Sequence, residues 1–240
     1  IDSLPADGLA IVNDDFEYVA NREVKNVKII RYGVRNTENC SYVAKDIVVT
    51  ARGTSFTVVY PDGEIKLQTR LVGECNISNL VAAVAAAINL GVEPQKIAYA
   101  VEKIEQVEHR LNMKTTAGGV VIIDDAFNSN PTGSKMALEV LASFTEGKRV
   151  VVTPGMIELG ERQSELNREF GRAIAKNCDI AIIVGEYNRE AIVSGILEAG
   201  FPEENIIEAA TFTEAQSRLL PMLKAGDAVL YENDLPDTFK

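Results

Sequence analysis

The chain has 240 residues, 46% of them hydrophobic and 25% charged, which is longer than one average domain and apolar enough to build a core that offsets ordering entropy. Its 24 Lys and Arg against 35 Asp and Glu give a formal net charge of −11, with both parts acidic: 11 basic against 15 acidic residues before His109, and 13 against 20 from there on. That excess argues against nucleic acid and anionic membranes as partners, and a single histidine, His109, removes H-E-x-x-H metalloproteases and leaves at most one Ser/His/Asp triad.

The first residue is Ile1 rather than Met, and the segment after it reads as the middle of a domain, so a piece of a longer protein is expected. Short strands are predicted at Leu9 to Asn13, closed by Asn13-Asp14-Asp15, and at Val27 to Tyr32. From Asp46 to Val72 the β-branched and aromatic run alternates, with Ile65, Leu67 and Leu71 on one face and Pro61-Asp62-Gly63 as turn chemistry, predicting antiparallel strands and a hairpin. Cys40, Cys75 and Cys178 stand far apart with no C-x-x-C pair, which marks neither a zinc site nor a disulfide framework and suits a reducing cytoplasm.

A helix is expected from near Asn76 or Ser78 to Gly91, whose glycine suits a left-handed C-terminal cap. Its apolar stretch from Leu80 to Leu90 is the longest in the chain and falls short of the roughly 20 residues of a bilayer crossing; no basic-then-apolar signal peptide opens the sequence. A second helix starts at Pro94 and carries Ile97, Val101, Ile104 and Val107 at helical spacing, which predicts one buried stripe ending near Glu108.

From Gly118 onward strand and helix alternate: VVIID, a helix after Pro131, RVVVTP, a helix through Asn167 to Ala175, DIAIIVG, a helix through Ile196, NIIEA, a helix through Leu223, and AVLYE. Five buried apolar strands separated by amphipathic helices specify a doubly wound, mostly parallel sheet. The expected division is 1–109 and 110–240, with the boundary in the stretch His109 to Lys114.

Ligands of such sheets bind at the carboxyl ends of the strands, so those loops hold the candidate site residues. Asp125 closes the first strand beside Asp124 and can accept both hydroxyls of a ribose, while the amides that follow, Asn128 among them, can pair with a purine edge; equally, Ser129 or Asn130 caps the helix and Asp125 orients the turn. The loop Thr153 to Gly160 is long and glycine-flanked, either closing over a substrate or packing Met156, Ile157 and Leu159. Asn76 and Asn79, three apart on a first helical turn, can hold one planar group or serve as caps. Arg110 is suited to multidentate phosphate contacts, whereas His109 can simply bond to backbone. No G-x-x-x-x-G-K-[ST] occurs in the chain, so ATP chemistry is not expected from it unaided.

Taken in order, LPADGLAIVNDD, GECNISNLVAAVAAAINLGV, VEHRL, IDDAFNSNP, VVTPGMIELGERQ, DIAIIVGE and GDAVLYENDLPDTF resemble the Mur ligase superfamily, in particular its branch that adds D-alanyl-D-alanine to UDP-N-acetylmuramoyl-tripeptide. The resemblance covers essentially the whole chain. It implies an α/β chain: the last part of a central ATPase domain, strands plus two helices, over 1–109, then a Rossmann-like C-terminal domain over 110–240. It further implies a cytoplasmic, ATP-dependent amide ligase of peptidoglycan precursor synthesis, inactive as this piece alone, with the P-loop and most Mg2+ ligands upstream. Asn76, Asn79 and Asn128 then meet adenine, Asp125 meets ribose, Arg110 reaches the phosphates and is the catalytic candidate, and Met156 and Glu158 lie beside the incoming peptide. Cys75 and Asn167 stand where many relatives carry His, and neither is given a catalytic role. The alternatives are a sister ligase with another acceptor, or a non-catalytic nucleotide- or partner-binding module. An upstream P-loop and lysine separate the ligase readings from the module.

Overall fold

The computed structural model describes residues 3–22 and 27–234; Ile1 and the terminal residues Leu235 to Phe239 quoted above lie outside them. The chain divides into two compact units, Ile1–Glu105 and Gln106–Lys240.

In the first unit, β1 (Leu9–Asn13), β2 (Lys28–Gly33), β3 (Tyr42–Thr50), β4 (Gly53–Tyr60) and β5 (Gly63–Thr69) form one sheet in chain order. The first three strands run parallel and the last three antiparallel. Alternation along β5 buries Ile65, Leu67 and Thr69 and exposes the residues between, the half-solvated pattern of an antiparallel edge. Pro61 and Asp62 make the two-residue connection between Tyr60 and its partner Gly63. A short helix, α1 (Glu17–Ala20), follows β1.

The alanine-rich helix α2 (Glu74–Asn89) begins two residues before Asn76, because Gly73 at φ 90 turns the chain into it. Its end matches expectation: Gly91 sits at φ 80, a backbone that a side chain resists. Ile77, Val81 and Val84 pack with Ile30, Phe56 and Val58 of the sheet. Helix α3 (Pro94–Glu102) buries only Ile97 and Val101 and stops six residues short of Glu108. Ile104 and Val107 are exposed, and Gln106 is tied by its side-chain amide to both backbone polar groups of Met113, so the expected stripe has no surface to continue on.

The second unit holds β6 (Asn112–Thr115), β7 (Val121–Asp125), α4 (Pro131–Ala142), β8 (Arg149–Thr153), α5 (Gln163–Asn177), β9 (Ile180–Val184), α6 (Arg189–Glu198), β10 (Ile206–Ala209), α7 (Phe212–Leu219) and β11 (Ala228–Glu232). The strands lie in the order β10-β9-β8-β11-β7-β6, all parallel except β6. Strand β6 was not expected, since three of its four residues, Asn112 to Lys114, lie within the presumed boundary.

From β7 to β10 the chain steps one way across the sheet, and right-handed crossovers then put α4, α5 and α6 on one face. The return from β10 to β11 reverses that direction and puts α7 on the other, where Ala215 and Leu219 pack on Val150, Val152, Ile182 and Val229. Helices α5 and α6 approach closely at Gly171 and Gly195, where an added Cβ would lie 2.2 Å from Ile192 O and 2.0 Å from Arg168 O. Strand β11, last among the described residues, inserts between β8 and β7. That insertion assembles the site.

Candidate functional site

The carboxyl ends of β7 and β11 lie side by side in register, Tyr231 with Asp124 and Glu232 with Asp125. Because strand residues alternate between faces, Asp124 and Asp125 serve opposite sides of the sheet. Two left-handed residues, His109 at φ 58 and Leu111 at φ 48, bend the segment before β6 against this edge. His109 Nδ1 lies 3.0 Å from Asp124 Oδ2, and the Leu111 N–H donates to Asp125 Oδ1 at 2.9 Å.

Arg110, between them, is exposed, and its guanidinium carbon sits 4.4 Å from the ring centroid of Phe127. This stack keeps a delocalised cation near Asp125 without quenching it in a tight ion pair. Phe127 escaped the sequence reading; an aromatic two residues past a strand-end carboxylate was the available signal. Asp125 is itself pushed above the ordinary carboxylate range, chiefly by burial, with the Leu111 N–H, a bond to Glu232 and the nearby Arg110 pulling the other way.

In the loop after β7, Asn130 accepts the Gly133 N–H at 2.9 Å and caps α4, which is the capping role weighed for it. Ser129 turns inward to Glu232, and Asn128 remains exposed. Thus Arg110, Asp125 and Asn128 gather on one edge of one unit.

The loop after β8 is pinned from beneath. Met156 is 1% exposed: its side chain, expected beside a substrate, is core, with Sδ 3.3 Å from Ser134 Oγ. Its N–H donates to Asn167 Oδ1 at 2.9 Å, and its carbonyl accepts from Asn167, Asn188 and Gln163. Asn167 and Asn188 therefore satisfy backbone that a buried loop would otherwise leave unpaired. Glu158 stays exposed at φ 63, so the loop offers this side chain to solvent and keeps Met156 inside.

On the opposite side of the sheet from Asp125, a cavity of about 530 Å³ opens at the same strand ends, lined by His109, Asp124, Val152, Phe212 and Tyr231 among others. Its mostly apolar lining with a few polar groups has the composition of a small-molecule pocket.

In the first unit, Asn76 Nδ2 donates to Val72 O at 2.8 Å, which fixes the start of α2, and Asn79 is exposed one turn on. Among the described residues no three His, Cys, Asp or Glu side chains form a set that could hold a metal ion, none of the three cysteines forms a disulfide, and no helix is long and apolar enough to cross a membrane.

Comparison with known proteins gives a consistent neighbourhood. Residues 109–231 match the family model described as Mur ligase, glutamate ligase domain, and residues 1–87 match the Mur ligase middle domain. The UDP-N-acetylmuramoyl-tripeptide--D-alanyl-D-alanine ligase of Haemophilus influenzae is 29% identical over 80% of this chain and 41% of its own length. The enzyme of the same name from Escherichia coli is 29% identical over 93% of this chain and 50% of its own. Among solved structures, MurF from Acinetobacter baumannii superposes with a TM-score of 0.80 at 27% identity, covering 96% of this chain and 49% of that one. The chain spans about half the length of the relatives it matches.

Proposed function

The chain belongs to the Mur ligase family, and from that premise we propose that it is part of an ATP-dependent amide ligase that joins D-alanyl-D-alanine to UDP-N-acetylmuramoyl-tripeptide in peptidoglycan precursor synthesis. The observation that carries this reading is the meeting of Arg110, Phe127 and Asp125 at the carboxyl edge of the sheet, in the unit that the ligase domain model matches, together with the names of the relatives. The reading places the protein in the cytoplasm, where ATP is made.

The residues present suit a nucleotide. Asp125 offers a carboxylate to ribose hydroxyls, Phe127 an aromatic face, Asn128 a side-chain amide for a purine edge, and Arg110 a cation for phosphate. When bound, ATP supplies the phosphoryl group that activates the tripeptide carboxyl for attack by the dipeptide amine. Arg110 stabilises negative charge as that transfer proceeds, and Asp125 orients the sugar. Glu158, exposed on the pinned loop, is the side chain there able to meet a peptide. No Mg2+ ligand set forms among the described residues, so no step is assigned through that ion.

Titration with ADP, by calorimetry, tests the nucleotide half of this reading: Asp125→Ala should bind about tenfold more weakly than wild type, by analogy with loss of a charge-assisted hydrogen bond. Unchanged affinity returns Asp125 to orienting a turn. The acceptor is tested in the whole encoded protein by phosphate release that requires both the UDP-linked tripeptide and D-alanyl-D-alanine; release with a single amino acid in place of the dipeptide would move the assignment to a sister ligase.

A further inference from the structure

Glu232 ends β11 with no exposed surface, beside its register partner Asp125. The Ser129 hydroxyl donates to Oε1 at 2.5 Å, and the Ser134 hydroxyl touches that of Ser129. Oε2 meets no donor among the described residues, yet Asp125 stands within hydrogen-bonding reach. Two ionised carboxylates only accept, so this contact is a hydrogen bond only when one oxygen carries a proton. An ionised Glu232 would be a buried charge with an unsatisfied oxygen, beside a second negative charge, an arrangement proteins avoid.

Resting on the reading of Asp125 as the contact to the nucleotide sugar, we propose that Glu232 is a positioning residue: it holds the proton of the pair, donates it from Oε2 to Asp125, and so keeps the Asp125 carboxylate ionised and turned toward the ligand. Through Ser129 it also ties down the loop that carries Phe127 and Asn128.

The surroundings favour this placement of the proton. Burial, followed by repulsion from Asp125, pushes Glu232 up to about 8, against the pull of the two serine hydroxyls. The charged groups nearby, Arg110 and Asp124, act on Asp125. From α4 and the loop after β8 come the neutral Ser134 and Met156, joined Oγ to Sδ. Near neutral pH the proton therefore rests on Glu232, and Asp125, with the Leu111 N–H and Arg110 beside it, keeps the charge.

The direct experiment is a 13C carboxyl NMR titration of the glutamate-labelled chain. One glutamate should titrate far above the ordinary carboxylate range, at about 8, and vanish in Glu232→Gln; in Asp125→Asn its midpoint should fall, because the repelling charge is gone. A Glu232 resonance titrating in the ordinary carboxylate range overturns the proposal.

The functional arm measures ADP affinity at about pH 7 and about pH 9. Wild type should lose about fivefold or more as the pair becomes doubly charged, while Glu232→Gln, which keeps a neutral donor, should match wild type at the lower pH and change less than about twofold. Loss of affinity in Glu232→Gln at the lower pH also overturns it. If Asp125→Ala leaves ADP binding unaltered, the sugar contact itself is wrong and the positioning role falls with it, whatever the titration shows; if Asp125→Ala weakens binding and Glu232→Gln departs from this pattern, the positioning role alone is wrong.

Discussion

The guanidinium carbon of Arg110 lies 4.4 Å from the ring centroid of Phe127, so the proposed phosphate-seeking cation rests over an aromatic ring. Exposed pairs of this kind are worth about 0.5–1 kcal/mol.

Phe127→Ala should therefore weaken ADP binding by about two- to fivefold with little change in unfolding free energy, since the ring is 50% exposed. Arg110→Ala in the whole enzyme should lower kcat more than it weakens nucleotide binding, as expected for a group whose interaction strengthens with developing charge. Steady-state kinetics beside calorimetry reads both; the reverse ordering for Arg110 would argue against charge stabilisation.

Asn167 is fully buried and answers the Met156 N–H and carbonyl together. Asn167→Ala should cost about 1–3 kcal/mol in urea unfolding, because it orphans a buried donor. Asn167→Asp should be no better: it retains the acceptor for the N–H but sets a second acceptor against the Met156 and Gln163 carbonyls. A near-neutral Asp variant would mean that the Asn167 amide donors add nothing to the hold that Asn188 and Gln163 already have on the loop.

At Gly195 a Cβ would lie 2.0 Å from Arg168 O, which forces α5 and α6 apart. Gly195→Ala should destabilise by about 1–3 kcal/mol or more, as overpacking does, despite alanine's better helix propensity. A gain in stability on chemical denaturation would show that the two helices are not so close.

Arg149 grips Asp179 through Nε at 3.0 Å and Nη2 at 2.8 Å, and these bonds hold the Asp179 carboxyl below the usual carboxylate range. A depressed folded-state value means stability that is present above the unfolded value of about 3.9 and lost as pH falls through the folded one. Asp179→Asn should cost about 1 kcal/mol or less at neutral pH, because the pair is partly solvated, and that cost should disappear as the pH falls through the depressed folded value. A penalty that persists in acid would assign the loss to packing instead.

What the amino-acid order determined alone is what repeats locally. Alternation and turn residues place β1, β2, β4, β5 and the second half of β3, which in fact starts earlier at Tyr42; glycine ends α2 at Gly91, and five apolar runs separated by amphipathic helices declare a parallel sheet. Tertiary structure decided the rest, because each remaining feature depends on a partner distant in sequence. Helix α3 stops at Glu102 for want of a surface, and β6 exists because β7 offers an edge. Met156 is core because Asn167 and Asn188 reach it from α5 and the start of α6. Above all, β11 enters between β8 and β7, which sets Glu232 against Asp125 and Ser129, 103 positions away in sequence from the latter. Periodicity records which face of a strand is buried; it carries no information about which strand becomes the neighbour, and the neighbour decides where the proton of a buried acid rests.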